Sequence, residues 1–208
     1  MSLRTRTTYQ HGNLRATLIE GALALVEERG VRDFSLAEAA RRAGVSGGAP
    51  YRHFRDRNEL LAAIAAQAYA ELGERMRAAA NEAHDAVEQI GAMAGAYVEF
   101  ARDERAAFEV LFDGGLSKSD YPELSAAGDE ATAEMIDASK RVVGDDQARA
   151  EKFAVTLWAT SHGFAMLMLE RALEQRDIDD AGVVAMASSA GRNLARAARS
   201  RTLETARA

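Results

Sequence analysis

Between positions 51 and 57 the chain reads Tyr-Arg-His-Phe-Arg-Asp-Arg, which places Tyr51, Arg52, His53, Arg55 and Arg57 within seven residues. Phenol, imidazole and guanidinium groups are donors suited to phosphate oxygens and to the acceptor edges of bases. Presented together on one short element, they would form a surface for a nucleic-acid duplex.

The residues just before them supply such an element. Ser35 and Glu38 have capping-box spacing, in which each side chain satisfies a free backbone N–H at a helix start. Leu36, Ala39, Ala40 and Ala43 follow at helical intervals, and Gly44 stands where a helix would stop in a left-handed conformation. Val45 can pack under the corner, Ser46 can cap the next helix, and Pro50 falls in that helix's first turn, where a missing N–H costs least. The pattern predicts two short helices joined by a tight turn, the geometry that sets a recognition helix into the major groove. In this reading Tyr51, His53 and Arg57 hold phosphates, while Ser46, Gly47, Gly48, Ala49 and Arg52 face the groove, with Ser35 completing the set. The competing reading is an ordinary helical hairpin with a solvated basic end.

On these residues the segment from Asn13 to about Leu61 resembles the N-terminal domain of TetR-family transcriptional regulators. The matching motifs are Ala43-Gly44-Val45-Ser46, Tyr51-Arg52-His53-Phe54, Arg57 and Leu60. The family more often carries Lys at the position of Arg57 and Gly-x-Leu or Gly-x-Ile where this chain has Gly48-Ala49-Pro50. The leading segment Tyr9 to Arg15 is similar to a subset of the same family.

Composition agrees with a helical regulator. The 208 residues are 48% hydrophobic, enough for a small and a medium domain, with two prolines, Pro50 and Pro122, and little β-branched clustering. The expected fold class is all-α: a three-helix helix-turn-helix domain over 10–60, a larger helical domain over 61–200, and flexible ends at 1–9 and 201–208. Residues 1–57 carry ten Arg against six Asp or Glu, net +4, and the remainder carries −10. The basic charge thus sits with the predicted duplex contact, and the acidic part is expected to stay away from it. Arg4 and Arg6 could extend that contact as an N-terminal arm. Cysteine is absent, which excludes disulfides, thiol nucleophiles and cysteine-ligated metals. With neither an apolar leader nor a membrane-length apolar run, a cytoplasmic protein with no membrane partner is expected.

Further helices are predicted over about 13–29, ended by Gly30, then 58–80, 83–101, 104–112, 121–142, 147–173 and 179–199, separated by Gly and Asp turns. The 58–80 helix, with Leu60, Leu61, Ile64, Ala68, Leu72 and Met76 on one stripe, is long enough to leave the small domain and enter the large one. In the 147–173 helix, Trp158 and His162 are four apart and share a face, and Trp158-x-x-x-His162-Gly163 resembles the signature of WHG-type TetR C-terminal domains. That resemblance implies a small effector and a homodimer built from the last two long helices. Small residues from Gly182 to Gly191 would suit close helix approach there, or equally packing within one subunit. Met93, Tyr97, Phe100, Phe108, Phe112, Trp158, His162 and Met166 are the candidates to line an effector pocket, with plain core packing the alternative for each.

An enzyme is the reading from another class. Paired Glu-x-x-His, His-Glu-x-x-His, phosphate-loop and Gly-x-Ser-x-Gly patterns are all missing, so no catalytic residue, metal or cofactor is assigned. The sequence points to a DNA-binding regulator whose partners are a double-stranded operator, a small apolar effector and a second copy of itself. A constitutive DNA-binding protein without an effector remains the other possibility.

Overall fold

The computed structural model describes residues 14–45 and 48–205, with side chains through Arg201. Eight α-helices and no strand occur among them: α1 (Leu14–Arg29), α2 (Leu36–Arg42), α3 (Arg57–Asn81), α4 (Ala86–Asp103), α5 (Arg105–Asp113), α6 (Pro122–Val143), α7 (Gln147–Leu169) and α8 (Asp180–Thr205). Asp56, Asp85 and Asp146 cap α3, α4 and α7, each carboxylate accepting an N–H of the first turn.

Two apolar clusters hold these helices. Leu18, Leu25 and Val26 of α1, Leu36 of α2, Phe34 and Phe54 from the connections, and Leu60, Leu61 and Ile64 of α3 form the first. Leu72 and Met76 further along α3 join Ile90, Tyr97 and Phe100 of α4, Phe108 of α5, Val142 of α6, Leu157 of α7 and Val183 of α8 in the second. Helix α3 runs 25 residues, a length of about 37 Å, and belongs to both. Val110 of α5 and Leu124 of α6 reach across into the first cluster.

Helices α4 and α8 pack with their backbones close. A Cβ added at Gly95 would lie 2.4 Å from Ser188 Oγ, and one at Gly191 would lie 3.0 Å from the carbonyl oxygen of Ile90. The small residues of α8 therefore divide: Ser188 and Gly191 turn toward α4 and Ala187 is buried in the core, whereas Ala185 and Ser189 are exposed.

Three expectations change. The helix expected from 147 to 173 ends at Leu169, because Arg171 turns left-handed at φ 55° and takes the glycine's part in a Schellman cap. There Ala172 N–H donates to the Leu167 carbonyl and Arg171 N–H to that of Met168. The last helix continues beyond 199 to Thr205, so residues 201–205 are helical rather than a loose end. The second helix of the DNA motif is reduced, among the described residues, to the single 3-10 turn Pro50–Arg52. Pro50 starts that turn, and its own carbonyl is used twice: both His53 and Phe54 N–H donate to it at 2.9 Å.

Candidate nucleic-acid interface and ligand cavity

The first helix of the motif is fixed at both ends by its own residues. Ser35 Oγ accepts the Glu38 N–H at 3.2 Å, and Glu38 Oε2 accepts the Ser35 N–H at 2.9 Å and the Ser35 hydroxyl at 2.9 Å. Those bonds from Ser35 hold the Glu38 carboxyl below the usual range. At the other end Gly44, at φ 69°, closes a Schellman turn in which Val45 N–H donates to the Ala40 carbonyl and Gly44 N–H to that of Arg41. Ser35 is exposed, with its hydroxyl engaged in this cap.

Beyond the turn, buried Pro50 and Phe54 anchor the 3-10 segment, and Tyr51, Arg52 and His53 between them point to solvent, Tyr51 at 58% exposure. Gly48 is exposed as well, with open space where a Cβ would stand, and half-buried Ala49 leads into the turn. Five predicted contacts, Gly48, Ala49, Tyr51, Arg52 and His53, thus come together on one surface. Ser46, Gly47, Arg4 and Arg6 lie outside the described residues.

Arg57 does not join that surface. It is the first residue of α3, and its guanidinium turns inward, donating to the Val31 carbonyl and lying 4.8 Å from the centre of the Phe34 ring. Burial pulls its pKa down, and its Nε is enclosed without a hydrogen-bond partner among the described residues. A cation at a helix N-terminus meets the positive end of the dipole; the aromatic face and the carbonyl offer it a better environment. The charge of Arg57 suggested phosphate, while the phenylalanine that captures it, Phe34, lies 23 positions earlier and gives no local signal.

In the large domain a cavity of about 430 Å³ opens between α3, α4, α6 and α7. Of the predicted lining residues, Tyr97, Phe112 and Trp158 border it. His162 stands just behind, its ring 4.6 Å from that of Phe112 and stacked at 5.5 Å on Phe108. Met93, Phe100 and Phe108 are buried in the core, and Met166 packs half-buried against that core away from the cavity. Leu72 and Met76 of α3 and Met135 and Ile136 of α6 complete the apolar wall, and Tyr69, Lys118 and Thr132 add polar groups; sequence reasoning placed none of them there.

The Trp-His motif forms a hydrogen-bonded chain with Tyr97. Trp158 Nε1 donates to the Tyr97 hydroxyl at 3.1 Å, and that hydroxyl lies 3.0 Å from His162 Nδ1. An indole N–H can only donate, so the phenol oxygen accepts from Trp158; between Tyr97 and His162 the donor is set by the imidazole tautomer. Burial pushes the Tyr97 phenol up and the His162 imidazole down, opposed at His162 by the nearby charge of Asp113.

Further along α7, Ala159, Gly163 and Leu167 form an exposed stripe at intervals of four; Val155, one turn earlier and 59% exposed, borders the cavity. A Cβ at Gly163 would meet nothing within 4 Å. No helix among the described residues is long and apolar enough to cross a membrane.

Known proteins share both halves of this arrangement. Residues 18–64 match the family model for bacterial regulatory proteins of the tetR family, and residues 90–190 match that for the tetracyclin repressor-like C-terminal domain. A solved structure from Rhodococcus, of a protein whose function is unknown, is 30% identical and superposes with a TM-score of 0.75 over 90% of this chain and 98% of that one. The transcriptional regulator BetI of Serratia proteamaculans is 32% identical over 113 residues, 53% of this chain and 57% of that protein. An HTH-type transcriptional regulator of Mycobacterium tuberculosis is 26% identical over 166 residues, 79% of this chain and 74% of that protein. The chain thus spans little more than half the length of the BetI relative it matches. With a capped helix-turn-helix at one end and a helical body carrying the Trp-His-Gly motif at the other, the protein belongs to the TetR family of transcriptional regulators, with a C-terminal domain of the WHG type.

Proposed function

We propose that the protein is a homodimeric repressor released from its operator by a small, largely apolar effector bound in the α3–α4–α6–α7 cavity. The observation that carries this reading is the reach of α3. Its first turn follows directly on the Pro50–Phe54 recognition segment, and Tyr69, Leu72 and Met76 three to five turns later line the cavity. A ligand that fits only one position of α3 shifts the population of DNA-competent molecules by its differential affinity, and by no more than that.

The DNA surface consists of Tyr51 and His53 on phosphates and Gly48, Ala49 and Arg52 toward base edges; Ser46 and Gly47, which precede Gly48 in the sequence, belong to the same proposed set. The second subunit docks on the exposed α7 stripe and the outward residues of α8. A mid-helix glycine costs roughly 1 kcal/mol against alanine, and a Cβ at Gly163 would meet nothing within 4 Å among the described residues; a closely crossing helix of a second copy gives that glycine a purpose. Two half-sites about one helical turn apart then match the dimer.

The test is selection of an operator from random duplexes, followed by titration of the complex with apolar small molecules. Effector-dependent release that Phe112→Ala shifts without changing operator affinity supports the reading. A protein that binds DNA identically in the presence of any cavity ligand is a constitutive binder. Gly163→Leu should separate the dimer in sedimentation; an unchanged dimer would place the interface elsewhere.

A further inference from the structure

The cavity's polar groups differ in whether the protein already uses them. Trp158 donates to Tyr97, the Tyr97 hydroxyl is hydrogen-bonded to His162 Nδ1, and the Thr132 hydroxyl donates to the Gly128 carbonyl at 2.7 Å. Glu151, exposed at the edge, accepts from the Gln147 amide at 2.7 Å. Two donors remain uncommitted, and they are neighbours: the Lys118 ammonium lies 4.3 Å from the centre of the Tyr69 ring. Among the described residues neither the ammonium nor the Tyr69 hydroxyl has a hydrogen-bond or carboxylate partner.

Lys118 is also held in place. It sits on the 3-10 turn Lys118–Asp120, and its side chain crosses α6 at Gly128, where an added Cβ would lie 2.8 Å from Nζ and 3.4 Å from Cε. The missing side chain at 128 and the aromatic face of Tyr69 together keep the ammonium at the rim of an otherwise apolar space. Lys118 is exposed at the cavity mouth, and an anion supplied by a ligand meets its ammonium and the Tyr69 hydroxyl through charge-assisted hydrogen bonds.

We propose that the cavity selects an apolar molecule ending in a carboxylate, with its head bound by Lys118 and the Tyr69 hydroxyl and its body lying along Leu72, Met76, Met135 and Ile136. This rests on the cavity being the effector site. One ammonium and one neutral donor match a singly charged head. A phosphate monoester, with a charge of about −1.5 to −2 at neutral pH, would remain half compensated.

The experiment uses the chain's own reporter. Trp158 is the sole tryptophan and borders the cavity, so its fluorescence reads occupancy in the intact protein. Decanoate, decanol, decylamine and decyl phosphate, each below its micellar concentration, share one body and differ in the head. Decanoate should bind at least tenfold more tightly than decanol, with decyl phosphate between them and decylamine weakest. Lys118→Met should bring decanoate down to the affinity of decanol while decanol itself changes less than twofold. Gly128→Ala, which displaces the ammonium but leaves its charge, should weaken decanoate alone. Equal binding of decanoate and decanol to the parent, tightest binding of decyl phosphate, or a Lys118→Met variant that loses both heads equally, overturns the head-group assignment and leaves the effector cavity standing. If no probe alters Trp158 emission, the cavity itself is not the effector site and both readings fall together.

Discussion

Glu109 Oε1 accepts the backbone N–H of Val31 at 2.6 Å, joining α5 to the turn between α1 and α2 across 78 positions. Gly30, immediately before, has φ 84°, and a Cβ there would stand 3.3 Å from the same carboxylate oxygen. Since α5 also carries Phe112 into the cavity wall, one short helix touches both the ligand space and the base of the DNA-binding segment.

Substituting Glu109 should therefore weaken communication more than either binding event. Glu109→Ala leaves a part-buried N–H unsatisfied, at a cost of about 1–3 kcal/mol, while Glu109→Gln retains an acceptor. The ratio of operator affinity with and without effector should fall toward one in Glu109→Ala and recover in Glu109→Gln. An Ala variant with lower thermal stability and a full effector response would make this bond purely structural.

Arg57 should behave as part of the fold. Replacing it with Ala removes a charged hydrogen bond and a cation–aromatic contact, together about 1–3 kcal/mol, so melting temperature and DNA affinity should decline together. Lys should rescue poorly, because a point ammonium cannot both span the Phe34 face and reach the Val31 carbonyl as the planar fork does. The salt dependence of DNA binding, which counts phosphate contacts, should keep the parent slope. A flatter slope would return Arg57 to the phosphate set.

Arg52 and His53 should separate by type of loss. Arg52→Ala should relax selection at one guanine by about 1–3 kcal/mol if both guanine acceptors are engaged. His53→Ala and Tyr51→Phe should weaken all duplexes alike. Operator selection repeated with each variant checks this, and an unchanged consensus for Arg52→Ala contradicts its place in the groove.

His162 makes stability depend on pH in a defined sense. Its folded pKa lies below the ordinary value of 6.5 because burial disfavours the imidazolium, so the unfolded chain binds the proton first. The stabilisation is complete above about pH 6.5 and is lost as pH falls from there toward the depressed folded value. His162→Asn, whose side-chain oxygen can accept from Tyr97 but does not titrate, should be less stable than the parent at pH 8 and close that gap by pH 5. A constant difference across the range would mean that the ring does not change charge there.

What could be read from sequence follows the range of the interactions. Ser35–Glu38 and Gly44 are recognisable because both partners of each cap lie within a few residues. The end of α7 is not, because Arg171 adopts a conformation that glycine usually marks, and only the surrounding fold rewards it. The cavity shows the same limit. A stripe of aromatics on α4, α5 and α7 identifies the neighbourhood, yet whether Phe108 is core and Phe112 is wall depends on where α3 and α6 come to rest. Lys118, in a connection without periodicity, carries no signal until Tyr69 and Gly128 are placed beside it.

Val110 and Leu124, 1% and 2% exposed, fill the underside of the DNA-binding cluster from helices that belong to the body. The head is consequently not an interchangeable part. Residues 14–64 transplanted onto another helical protein would arrive with two vacancies in their apolar cluster, and a new host would have to present apolar side chains at the same heights. Sequence drift in α5 and α6 is constrained on their head-facing side by DNA binding, even at positions that never approach a duplex.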